Sequence, residues 1–180
     1  MHLARLRAGL ALAVVVFCAG CGSSDSSKVS TAKYVKAVCS AISPLETDVV
    51  ARTQALSAPA ANPVAAKQTL QGFLTAVEQD ASRAVERIQA AGTPDIDKGQ
   101  SVANEIVRTF SQLRDAMRAA GAKAKTLPTD SVTAYKAAAQ ALNASVRQSL
   151  TNIDASGLSN PDIEKAAAKE PACKSLSASG

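Results

Sequence analysis

Histidine is almost absent from this chain: the single one, His2, sits beside the first methionine. Without it no Ser-His-Asp triad, Cys-His pair, H-E-x-x-H zinc site, Glu-x-x-His di-iron site or C-x-x-C-H haem attachment can be assembled. Aromatic side chains are nearly as scarce, with no Trp, two Tyr and three Phe. Alanine fills roughly a fifth of all positions, so the core must come from close helix approach rather than large rings. Excess charge is also small: the formal net charge of +5 falls to +3 from residue 21 onward once Arg5 and Arg7 are set aside. With no basic stripe and no interleaved aromatics, nucleic acid is not expected as a partner. Nor does any run alternate apolar and polar residues as a half-buried strand does. The expected fold class is all-α.

Residues 1–20 read as a signal peptide. Arg5 and Arg7 form a positive start, Ala8 to Phe17 an apolar stretch, and Cys18-Ala19-Gly20 a run of small residues before Cys21. A spanning helix needs about twenty apolar residues, roughly twice what is here, so the stretch fits an export signal better than a transmembrane segment. The small residues ending in Cys21 resemble the lipobox of bacterial lipoproteins. That resemblance implies cleavage between Gly20 and Cys21 and a diacylglycerol on the Cys21 thiol, holding the chain on the outer face of the cell membrane. Two or more acyl chains anchor stably where one does so only marginally, at about 0.8 kcal/mol per buried methylene. Residues 21–29 then comprise the acylated cysteine and a Ser-rich tether, and residues 30–180 a helical domain.

Four cysteines are present. Cys18 leaves with the leader and Cys21 is capped by lipid, so Cys39 and Cys173 remain. An even pair in an oxidising compartment predicts a disulfide between them. A redox or metal role would need them close together in sequence.

From Ser30 onward the apolar period is helical. Val35, Val38, Ile42, Leu45, Val49 and Leu56 mark a first helix. Its stripe keeps phase across Pro44, which predicts one kinked helix or two abutting ones, with Ser43-Pro44-Leu45-Glu46 resembling a capping box. Asn62-Pro63 starts a second, carrying Leu70, Phe73, Leu74, Val77, Ala81, Ala84, Val85 and Ile88, and stopped by Gly92 and Pro94. The third begins between Asp97 and Ser101, carries Ala103, Ile106, Phe110, Leu113, Met117, Ala120 and Ala124, and ends before Pro128. Thr129 or Asp130 caps a fourth with Val132, Tyr135, Ala139, Leu142, Val146, Leu150 and Ile153. Asn160-Pro161 opens a short fifth, closed by Pro171. The pattern suggests an antiparallel four-helix up-down bundle with a short C-terminal fifth helix. In it Cys39 and Cys173 fall near the same end.

The lipobox, the opening Tyr34-Val35-Lys36-Ala37-Val38-Cys39, the Gly92-Thr93-Pro94-Asp95 loop and the ending Asn160-Pro161-Asp162-Ile163-Glu164 through Pro171-Ala172-Cys173 resemble small secreted lipoproteins of actinobacteria. The resemblance implies an address and a fold, and carries no activity with it.

Three patterns touch chemistry. Ser30-Thr31-Ala32-Lys33 matches S-x-x-K, but no S-D-N or K-T-G follows, and Ser30 serves as a helix N-cap. Asp95 and Asp97 offer too few regularly spaced oxygens for calcium. Arg83, Arg87, Arg108, Arg114, Arg118, Lys123 and Lys125 gather on two helices, yet Glu86 and Asp115 interleave with them, as on an ordinary solvated face. No catalytic residue, cofactor or metal is expected. The expected function is a non-enzymatic, membrane-anchored interaction module for an envelope protein. The alternative is a carrier of a small apolar ligand within the bundle, which requires an apolar cavity of about 300 Å³ or more.

Overall fold

The computed structural model describes residues 27–153 and 159–178. The expected signal peptide, Cys21 and the tether as far as residue 26 lie outside them, while residues 27–29 are described. The described chain is mostly helical: β1 (Lys28–Val29), α1 (Thr31–Ser57), α2 (Pro63–Ala90), β2 (Thr93–Pro94), α3 (Gly99–Ala124), α4 (Val132–Thr151), α5 (Pro161–Ala167) and α6 (Pro171–Ala178). Helix starts follow local chemistry. The Ser30, Asn62 and Ser131 side chains accept from the N–H three residues on, and Asn160 accepts from Asp162 and Ile163. Each satisfies a donor that the first helical turn leaves open.

Four features depart from the sequence expectations. The expected capping box at Ser43 does not form, because Pro44 lies inside α1, the one-helix arrangement of the two expected. Ser43 caps nothing there, and its carbonyl instead accepts from the Thr47 hydroxyl at 3.0 Å. The fourth helix is capped by Ser131, the last of three consecutive capping residues, rather than by Thr129 or Asp130. Pro171 opens a sixth helix, in which the Glu170 carboxylate accepts from the Ala172 N–H at 3.3 Å. Lastly, β1 and β2 pair in parallel, with Lys28 opposite Thr93 and Val29 opposite Pro94. Two residues per strand are too short to leave a period in the sequence.

That small clasp depends on two glycines. Gly92 has φ +84°, and a Cβ there would stand 2.7 Å from the Ser27 carbonyl oxygen. A Cβ on Gly99, the first residue of α3, would stand 2.0 Å from the Pro94 carbonyl oxygen. Only a residue without a side chain fits either place.

The central layer is α1, α2 and α3, with α2 packed on both others. Antiparallel order of α2 and α3 is visible in three cross-links: Lys67 Nζ donates to the Leu127 carbonyl (2.9 Å), Gln71 Nε2 to the Ala124 carbonyl (3.3 Å) and Arg118 Nε to Glu78 (2.8 Å). Helices α5 and α6 lie on α1. The Cys39–Cys173 disulfide ties α6 to α1, with Cα atoms 5.1 Å apart.

Packing is uneven along the molecule. No residue of α1 beyond Leu45 is buried, the buried ones being Tyr34, Val35, Val38, Cys39, Ala41 and Leu45. They meet Ala84, Val85 and Ile88 of α2 and Val102, Ala103 and Ile106 of α3 in one cluster. The expected stripe residue Leu56 is exposed instead. Helix α4 packs chiefly on α3 and buries only Leu142, while Val132 is 54% and Leu150 39% exposed. The fourth apolar stripe therefore does not close a filled four-helix seam.

Candidate functional site

Where that seam would be, the structure has a trough of about 670 Å³. One wall is the end of α1 (Ala55, Leu56) and the connection 58–62. The floor is the first three turns of α2, and the other wall is the inner face of α4. Pro59 follows the last turn of α1, where it cannot continue the helix. Asn62 then caps α2 with Pro63 in its first turn, so the chain reverses within a few residues. On α4, Val132, Tyr135, Ala139, Leu142 and Val146 share one face, because they recur at helical spacing. Leu70, Phe73 and Leu74 face them from α2.

Alanine creates the space. Ala55, Ala58, Ala65, Ala66 and Ala139 stand at lining positions where longer side chains would interlock. Polar groups in the lining are few. Asn62 Oδ1 is occupied by the Ala65 N–H at 2.9 Å, and the Thr69 hydroxyl donates to the Ala65 carbonyl at 3.1 Å. Tyr135, half-buried, has its phenol pushed above the usual range by loss of solvent. Lys136 and Asn143 complete the set. The lining holds no carboxylate and no histidine, and its titratable groups are Tyr135 and Lys136. Its chemistry is that of a receptor for apolar surface.

A second hollow of about 650 Å³ lies at the other end, between the start of α1 and α5. Its charges are mixed, with Asp95, Asp162 and Glu170 beside Lys165 and Lys169. Among the described residues no group of three or more His, Cys, Asp or Glu stands close enough to hold a metal. Asp95 pairs with Lys28 at 3.6 Å.

The other residues singled out in the sequence have plain roles. The Ser30 hydroxyl accepts from the Lys33 backbone N–H at 3.4 Å, so the S-x-x-K spacing is a helix cap. Most of the basic residues of α2 and α3 are engaged. Arg83 pairs with Asp80, Arg114 with Asp115 at 2.9 Å, Arg118 with Glu78 and Asp115, and Lys123 with the Ser145 hydroxyl at 3.0 Å. The hydrogen bond from Arg114 holds the Asp115 carboxyl below its usual range. Cys39 and Cys173 form the expected bridge. Cys21 lies outside the described residues, and among those residues no helix is long and apolar enough to cross a membrane. Sequence reasoning held a cavity only as its alternative and did not locate the trough. Its signal was the excess of alanine on α4 and at the α1–α2 turn, which reads equally well as close packing.

Comparison with protein-family models, with curated proteins and with solved structures found no match to this chain.

Proposed function

We propose that this is a non-enzymatic binding protein, fastened by lipid on Cys21 to the outer face of a bacterial membrane, whose trough takes a small apolar ligand. One observation carries the ligand: an apolar trough of about 670 Å³, well within the range of small-molecule sites. A flat surface that docks an envelope protein does not need such volume. A carrier requires it. The finer architecture belongs to the same proposal. In a closed antiparallel four-helix bundle the apolar face of α4 would fill the seam, and here a ligand takes the place of that packing.

Titration of the full chain with Nile red, a neutral apolar dye that brightens on leaving water, tests the ligand site. Saturable binding is expected. Ala139→Phe, which places a ring in the trough, is expected to abolish it. Undiminished saturation in a folded Ala139→Phe protein would remove the basis of the carrier reading. The anchor has its own readout. Mass spectrometry of the chain from its native membrane is expected to find an acylated N-terminal Cys21, and an intact Met1 with an unmodified thiol would exclude the anchor.

A further inference from the structure

Resting on the trough as a ligand site, we infer that its occupant is an anionic amphiphile, an unbranched hydrocarbon chain ending in an acid group, with the acid at Lys136. The shape speaks for a chain. The lining face of α4 runs from Val132 to Val146, which at about 1.5 Å per residue is roughly 20 Å of helix. Only two aromatic rings, Phe73 and Tyr135, line it, one on each side, so there is no stacked cage for a flat or cationic ligand. Chain methylenes have no such requirement; they need apolar length.

The charge of the lining selects the head. Lys136 is its one charged side chain, and no Asp or Glu is among the lining residues. Asp130, nearby in sequence, is not one of them. Lys136 stands in the second turn of α4, near one end of the apolar strip, where a head group can remain wet while its chain lies inside. The helix ends add little net field. The carbonyl end of α1 and the N–H end of α2 meet in one turn and oppose each other. The first turn of α4 has no acidic residue to offset its own positive end. An exposed ammonium on a long stem is an ordinary partner for a carboxylate or phosphate at the mouth of such a site. Apolar surface continues outside the trough at Val64, and Leu56 and Val132 of the lining are themselves exposed, so a chain longer than the cavity still finds cover.

The test compares decanoate with 1-decanol, equal in chain and different in charge, by calorimetric titration of the full chain carrying Cys21→Ser. Decanoate is expected to bind about fivefold more tightly at low salt, the scale of one exposed ion pair. The preference should shrink as salt screens it. Lys136→Met should equalise the two ligands without weakening decanol. Equal affinities in the unmodified lining, or a preference that survives Lys136→Met, overturn the anionic head and leave the apolar trough standing. Failure of both ligands to bind, or binding of both unchanged by Ala139→Phe, overturns the trough and this inference with it.

Discussion

Tyr34 illustrates how a single side chain is committed to this interior. Its side chain is fully buried, its hydroxyl has no hydrogen-bond partner, and burial pushes its phenol up to about 12. A raised phenol is one whose ionised form the fold excludes. The unfolded chain therefore releases the Tyr34 proton first, and stability present below pH 10 is lost as pH rises towards 12. Tyr34→Phe is expected to be neutral or mildly stabilising at pH 7, since it removes an unsatisfied polar group. It should also lose less stability than the parent between pH 10 and 12. Denaturant titrations of both proteins across that window measure it, and parallel curves would contradict the account. At this scale the sequence is readable where one residue has one local task. Ser30 and Asn62 were recognisable caps because each stands alone before its helix. Ser131 was not, because Thr129, Asp130 and Ser131 are all competent and only the docking of α4 on α3 decides among them.

Among elements, α3 and α4 have similar stripes and different fates. Both present an apolar residue every three or four positions. Yet α3 buries Val102, Ala103, Ile106, Phe110, Met117, Ala120 and Ala124, whereas α4 buries Leu142 alone. Periodicity says which face of a helix is apolar and cannot say whether a partner arrives to cover it. The energetic consequence is measurable. Ile106→Ala empties a fully enclosed position and should cost about 3–4 kcal/mol. Leu142→Ala enlarges a space already present and should cost about 2 kcal/mol, near the lower end of such substitutions. Equal losses in urea unfolding would mean that the wall of α4 is as tightly packed as the core. The helices and most of their bounds were legible for the same reason that α4 misled: they follow from local chemistry, while the trough follows from where helices fail to meet. The parallel clasp and α6 escaped notice because each is too short to carry a period.

The whole molecule has a firm end and a loose one. The clasp, the disulfide and the dense half of α1 lie together, and the trough lies where α1 ends and α2 begins. Bridging residues 134 apart in sequence restricts nearly the entire unfolded chain. In the loop-entropy description this contributes at most about 4–5 kcal/mol. Reducing the bridge, or Cys173→Ser, is expected to lower the guanidinium midpoint by a corresponding amount, read by far-UV circular dichroism. Nile red binding below that midpoint should persist, because the staple is remote from the trough. A midpoint that does not move would show that α5 and α6 hold α1 without it. The pairing was inferable on the expectation that Cys18 leaves with the leader and Cys21 is acylated, since only two thiols are then left to pair.

The clasp also sets the pole at which the described chain begins. Chain enters at β1, and α1 then runs 27 residues, about 40 Å of rod, before the trough begins. Under the proposed anchor on Cys21, attachment is nearest to this pole, and the open mouth would sit outboard of the bilayer by most of that length. If both the anchor and the ligand site hold, cargo would be exchanged with whatever approaches from outside, and not drawn straight up from the leaflet beneath.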